Sequence, residues 1–481
     1  MKPSLLRLTE ADLINVKNIG KGHLDFHSPR GLQKASLLGL YGQNGSGKTA
    51  LISSLGLLKR VLSGGSVPEE FSKLIELGKE YAQFNFKFDL LTGDFSYKIF
   101  YSFKIRIRKQ ETIPTLYLFQ EVKDSPESEQ ARHIEIFDEL FKFAMQEPEA
   151  SRMTEVINTH TCANSAFGPQ SKYLDLVGNN KNDDTKLIVA KQLASQLSRS
   201  FVFSTELLQA ISTEAGKHKS SPQRHISDDA ILILAWMKYY ALNFLFVVDT
   251  RDTHLSSYQL MELHVNYKNT TVTITFHLDK PTLIREDLVQ SVESSIKGMN
   301  GVLSQIIPGM TIGFVTLNSE LMKDGHKGLN VQLTSRRDGK ELPLSCESEG
   351  IIKIISILRL LISVFNQPHV TVAIDELDSG IFEYLLGEIL KIIAEQGKGQ
   401  LIFTSHNLRP LETLRKEFIA FTTTDPLNRY TRLTGVKTTN NLRDFYFRKI
   451  LLNSGPENIY NPTSNAEIAF AMREASGVIY G

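Results

Sequence analysis

Residues Gly42 to Thr49 read Gly-Gln-Asn-Gly-Ser-Gly-Lys-Thr, a spacing suited to holding phosphate. Three glycines let the backbone turn tightly enough to aim successive N–H groups at a β-phosphate. In this reading Gly42, Gln43, Asn44, Gly45, Ser46 and Gly47 form the cradle, and Lys48 bridges the β- and γ-phosphates. Thr49 offers a hydroxyl to Mg²⁺, a hard cation that takes oxygen ligands. The ligands implied are ATP and Mg²⁺. A second group lies far downstream, where the apolar run Val370 to Ile374 ends in Asp375-Glu376. A central parallel strand looks like this when it delivers carboxylates to the sheet's carboxyl edge. Asp375 is then expected on the Mg²⁺ side, and Glu376 is the expected base that polarises the attacking water. A third apolar run, Gln400 to Phe403, leads into His406, whose neutral imidazole is suited to reach a γ-phosphate oxygen.

Secondary structure has to hold these groups in one place. The phosphate loop sits between an apolar strand, Ser36 to Tyr41, and an amphipathic helix from Lys48 to Leu62 whose N-terminal dipole favours the anion. Leu62-Ser63-Gly64-Gly65 closes that helix, with the glycine pair as its C-cap. Tyr97 to Arg108 and Leu116 to Val122 alternate like a hairpin of an antiparallel side sheet, broken at Glu111 to Thr115. Helical spacing follows at Ile134 to Gln146, Lys186 to Ala215 and Asp228 to Leu242. Met261 to Val265, Thr271 to His277 and Leu329 to Thr334 read as strands, with a helix over Leu283 to Ile307 and an Asp338-Gly339 turn. No pattern sustains the three or four heptads of a long coiled coil.

With 481 residues and 41% hydrophobic content, the chain is long enough for two or three structural units. Lys and Arg number 54 against 53 Asp and Glu, so any contact with nucleic acid has to be local. Two cysteines, Cys162 and Cys346, make neither a disulfide framework nor a metal spacing, which points to a reducing cytoplasm. Ala230 to Val248 is long enough to span a bilayer, but Lys238 and Asn243 interrupt it. Its β-branched and aromatic end, Phe244 to Val248, predicts a helix followed by a strand and no membrane segment.

The order of phosphate loop, acidic strand and strand ending in histidine resembles the ABC-type ATPases. In that family Leu377-Asp378-Ser379-Gly380 corresponds to the D-loop, which brings Asp378 into the nucleotide site. The family also carries a Ser-x-Gly signature at the start of a helix before the acidic strand. Here Glu347-Ser348-Glu349-Gly350 precedes the apolar helix Ile351 to Val364, so the resemblance assigns Ser348 and Gly350 to the partner subunit's ATP. The departure from Leu-Ser-Gly-Gly is real, and the verbatim copy at Leu62 lies at the wrong end of its helix. The stretch between Lys48 and Asp375 far exceeds what a transporter ATPase needs, which points to the SMC-like or RecF-like branch. Within it the chain resembles the OLD-like soluble prokaryotic ATPases that include anti-phage defence components. Asp12 to Ile19 resembles the branch's first strand and adenine-side loop.

The fold this implies is α/β, a P-loop NTPase head of ABC type: a mixed central sheet with an antiparallel side sheet, interrupted by a large, mostly helical insertion. The expected division is 1–125 for the N-terminal lobe, 126–260 for the insertion and 261–481 for the C-terminal lobe. The stretch after His406 has no cluster of acids like that of an OLD nuclease. The resemblance therefore implies a homodimer or higher oligomer through ATP-sandwiched heads, partnered by a separately encoded effector, a nuclease or toxin. A RecF-like ATPase acting on DNA is the alternative, with Lys104, Arg106 and Arg108 or Arg336-Arg337 as candidate phosphate contacts. A transporter subunit is the weakest of the three.

Overall fold

The computed structural model describes residues 4–28, 30–108, 133–147, 150–160, 165–179, 181–217, 225–249, 259–268, 270–432, 441–452, 458–461 and 463–479. Leu116 to Val122 and Cys162 lie outside them.

The central sheet is parallel apart from one edge. Its order is Tyr430–Thr431, Ile419–Thr422, Ser36–Tyr41, Gln400–Thr404, Thr371–Ile374 and Leu245–Val248. Both faces are covered, so the strands are apolar without a break, and the twofold alternation of side chains divides them between two cores. Leu38, Leu40, Ala373, Ile402 and Ala420 enter one. Leu37, Tyr41, Val372, Ile374, Leu401, Phe403, Ile419 and Phe421 enter the other. The first core also receives the side sheet, six antiparallel strands that include Leu5–Val16, Ala82–Thr92, Phe95–Arg108 and His133–Glu147. The helix Lys48–Ser63 lies in this same core and is buried nearly all round, with Leu51, Ile52, Leu55, Leu57, Leu58, Val61 and Leu62 inside. At about 1.5–3 kcal/mol for each fully buried aliphatic side chain, that packing outweighs the glycine at position 56. The helix Glu349–Asn366, with Ile354, Ile355, Ile357 and Leu358 inside, belongs to the second core.

Arg7 ties the side sheet to the base of the central sheet. It is 2% exposed and donates to the carbonyls of Lys34, Pro368 and Lys398. Burial holds this guanidinium down to about 10.

Three sequence expectations change. Ile134 to Gln146 is not a helix but part of the strand His133–Glu147. Ile134 and Ile136 point inward, then a bulge at Asp138, with φ 50, shifts the register so that Glu139, Phe141 and Phe143 point inward. Two period-2 runs out of phase imitate helical spacing. Lys186 to Ala215 is two helices, Lys181–Gln196 and Thr205–Lys217. The chain between them turns its Ser200 hydroxyl and the Phe201 and Val202 N–H groups onto the buried Glu139 carboxylate. The helix expected over Leu283 to Ile307 begins only at Val289, because Thr282–Arg285 pairs as a strand with Lys327–Arg337. Ala230 to Val248 divides as expected into the helix Ile226–Asn243 and the strand Leu245–Val248. Among the described residues no helix is long and apolar enough to cross a membrane.

Candidate active site

The phosphate loop follows the strand Ser36–Tyr41 and turns into the helix Lys48–Ser63 through glycines at positive φ: 153 at Gly42, 74 at Gly45 and 98 at Gly47. At Gly42 the need is steric as well, since a Cβ would lie 1.7 Å from Thr422 Oγ1. That hydroxyl instead donates to Ser46 Oγ at 2.6 Å and fastens the loop to the neighbouring strand. A Cβ at Gly45 would meet nothing within 4 Å, so the loop's outer face is open to a ligand. Lys48 Nζ donates to the carbonyls of Gly42 (2.9 Å) and Gln43 (3.0 Å). Burial lowers the Lys48 pKa, and the carboxylates of Asp375, Glu376 and Asp378 oppose the shift. This is a cation held in place before any phosphate arrives.

A cleft of about 510 Å³ brings together Asn44, Gly45, Ser46, Gly47, Lys48 and Thr49 with Asp375, Glu376, Thr404 and His406. Lys17 and Asn18 close its other side. The parallel register explains the convergence. Ile374 pairs with Phe403, and Thr404 with Leu40, so three strand ends open at one sheet edge. Asp375 is 1% exposed. Its Oδ1 accepts from Thr404 Oγ1 at 2.6 Å, and the same hydroxyl accepts from the Glu376 N–H at 2.7 Å. Glu376 has φ 48, a left-handed backbone uncommon outside glycine. The exposed His406 reaches the cleft from a loop whose N–H groups, at His406 (3.0 Å) and Asn407 (2.9 Å), donate to Asp378 Oδ2.

The donor set fits a nucleotide with Mg²⁺. The hydroxyl of Thr49 and the carboxylate of Asp375 are hard oxygen ligands on one cleft. Among the described residues no three His, Cys, Asp or Glu side chains converge as a self-contained metal site. Mg²⁺ needs none here, because it binds through one or two protein oxygens, substrate phosphates and water.

Not all expected residues meet in this cleft. Gly42 and Gln43 do not line it and act through their carbonyls on Lys48. Gln43 Oε1 also accepts from the Asn461 N–H at 3.1 Å. Asp378 faces the histidine loop. Ser348 is exposed at the N-terminus of the helix Glu349–Asn366, where its Oγ accepts from the Ile351 N–H at 3.4 Å. Gly350 packs on the acidic turn so closely that a Cβ would lie 2.0 Å from the Gly380 carbonyl oxygen. The sequence reading gave no role to Thr404 or to the buried Lys353, and it touched Lys17 and Asn18 only within the segment Asp12 to Ile19 that resembles an adenine-side loop. The Asn18 side chain donates to the Gly45 carbonyl, and Arg429 holds the Asn18 carbonyl at 2.6 Å. For Thr404 a signal existed, a hydroxyl at the end of an apolar strand next to the acidic one. For Lys353 it did not.

No curated protein matches the chain. Among solved structures, the Smc head domain with an extended coiled coil bound to the C-terminal domain of ScpA from Pyrococcus furiosus is 10% identical. The match covers 94% of this chain and 100% of that one, with a TM-score of 0.38. The SMC head domain from Thermotoga maritima is 12% identical over 89% of this chain and 99% of that one, TM-score 0.34. The recombination mediator protein RecF with ATP is 13% identical over 90% and 100%, TM-score 0.34. The family model described as "AAA domain, putative AbiEii toxin, Type IV TA system" matches residues 37–411, most of the chain. With its phosphate loop, acidic strand and histidine loop all inside that match, the chain belongs to this family of AAA-type ATPase domains.

Proposed function

We propose that the protein binds and hydrolyses ATP with Mg²⁺ as an SMC-like ABC ATPase, dimerises on ATP, and serves as sensor or scaffold for a separately encoded effector in anti-phage defence. The observation that carries the ATPase part is the single cleft in which Lys48, Thr49, Asp375, Glu376 and His406 converge. In this reading the loop N–H groups and Lys48 hold the phosphates, and Thr49 and Asp375 hold Mg²⁺. Glu376 takes the proton of the attacking water, and His406 meets the γ-phosphate. Ser348, exposed and outside its own cleft, meets the partner's nucleotide. The family's printed description, a "putative AbiEii toxin, Type IV TA system", supports a place in a system of more than one polypeptide. The RecF-like alternative draws on a basic strand face, but there Lys104 pairs with Asp138 at 2.9 Å and Arg106 with Glu135 at 2.6 Å, which favours the first reading.

Lys48→Ala tests both halves. Wild-type protein should hydrolyse ATP in Mg²⁺ and Lys48→Ala should not, because no water replaces the ammonium's stabilisation of phosphate charge. Cells carrying the locus should lose phage resistance with the same substitution. Equal ATPase rates would reject the enzyme, and resistance untouched by the loss of ATPase would reject the defence role.

A further inference from the structure

Lys353 is 3% exposed and lies on the helix Glu349–Asn366, beside Ile354, Ile355 and Ile357 of the second core. An ammonium among isoleucines is costly unless it is partnered. Its Nζ donates to the backbone carbonyl of Glu376. Burial holds this ammonium down to about 8, against the opposing carboxylates of Asp378, Glu376 and Asp375. Lys353 does not line the nucleotide cleft; Glu376 does. The lysine therefore stands behind the acidic turn and acts on its backbone.

That backbone needs support. At φ 48 a glutamate sits in the left-handed region, a strained conformation that persists only where the surroundings over-determine it. Both polar backbone atoms of Glu376 are held by buried side chains from other elements: the N–H by Thr404 Oγ1 and the carbonyl by Lys353. We propose that Lys353 is a positioning residue for hydrolysis, one that fixes the Glu376 peptide so that its carboxylate stays in the cleft at the attacking water. This rests on the reading of Glu376 as the group that activates water. Because the same helix starts at Ser348 and its Gly350 packs on Gly380, the acidic turn is gripped at both ends by one helix.

The test compares Lys353→Met, which removes the donor, with Lys353→Gln, which keeps a neutral one, and with Lys353→Met placed in a Glu376→Gln background. ATP affinity of Lys353→Met should stay within about threefold of wild type while kcat falls by about 30-fold or more. Lys353→Gln should recover most of that loss. In the Glu376→Gln background the lysine change should cost nothing further, since it acts only through that side chain. If Lys353→Met does not fold, a Lys353→Leu variant, which also removes the donor, is read in its place by the same kcat and affinity criteria, and if neither folds, any kcat loss in Lys353→Gln must vanish in the Glu376→Gln background. A wild-type kcat in Lys353→Met, a weakened ATP affinity with kcat unchanged, or an additive loss in the double variant would overturn the proposal. A Glu376→Gln protein that hydrolyses ATP at the wild-type rate would overturn the underlying reading, and this proposal with it.

Discussion

Lys48 is held by backbone carbonyls, and Glu376 is held through its own backbone by side chains. Lys48 rests on the carbonyls of Gly42 and Gln43, so phosphate binding exchanges two weak acceptors for charged ones and needs little reorganisation. Glu376 leaves its strand in a left-handed turn between Thr404 and Lys353. Glu376→Gln keeps that turn and the shape of the site but removes the base. ATP should still bind, with turnover reduced about 10²- to 10⁴-fold, measured by phosphate release beside equilibrium ATP binding. Asp375→Asn should instead weaken the Mg²⁺-dependent part of ATP binding, visible as a loss of the affinity difference between Mg²⁺ and EDTA buffers. Turnover that survives Glu376→Gln would place the base elsewhere.

At the scale of elements, the start of the helix Glu349–Asn366 meets the acidic turn backbone against backbone. Alanine at a helical position is ordinarily better than glycine by about 0.5–1 kcal/mol. At Gly350 the added methyl would lie 2.0 Å from the Gly380 carbonyl oxygen, so either the helix start or the acidic turn must move. Displacements of that kind cost more in positioning than the helix gains. Gly350→Ala should lower kcat about 10- to 100-fold while ATP affinity of the isolated chain changes by less than about threefold. Unchanged turnover would mean that the joint is soft and that neither element is positioned by the other. Glu139 shows the same dependence on neighbours in the side sheet. Burial pushes its pKa up, and hydrogen bonds from Ser200, Tyr101, Phe201 and Val202 oppose that, which is why a carboxylate can occupy a core position on a strand.

For the whole molecule the question is what completes the cleft. Ser348 is exposed on the helix beyond the acidic turn, and the large apolar side chains Phe382 and Tyr384, 69% and 54% exposed, lie just after Gly380. A second head placed head-to-tail would cover this region and set the Ser348 helix N-terminus against a bound γ-phosphate. Lys48→Ala and Ser348→Arg proteins, each inactive alone, should then regain activity on mixing, at one working site per mixed dimer. No recovery in mixtures shown to exchange subunits would count against that arrangement.

Much of the site was legible because its chemistry is local. The residues Gly42 to Thr49 form one continuous loop, and Asp375, Glu376 and His406 each follow a short apolar run, a pattern set by period and composition along the chain. Burial of the central strands on both faces removes any polar alternation, so those runs were read at nearly their true limits. Tertiary structure decided what depends on register and on contacts distant in sequence. A bulge at Asp138 gave a strand the spacing of a helix, because one inserted residue reverses which face points inward. Glu139 broke one expected helix in two by drawing the backbone around 200 to itself. Lys353 lies within the apolar run Ile351 to Val364, and only the fold brings the Glu376 carbonyl to its side chain. No spacing along the chain encodes that meeting.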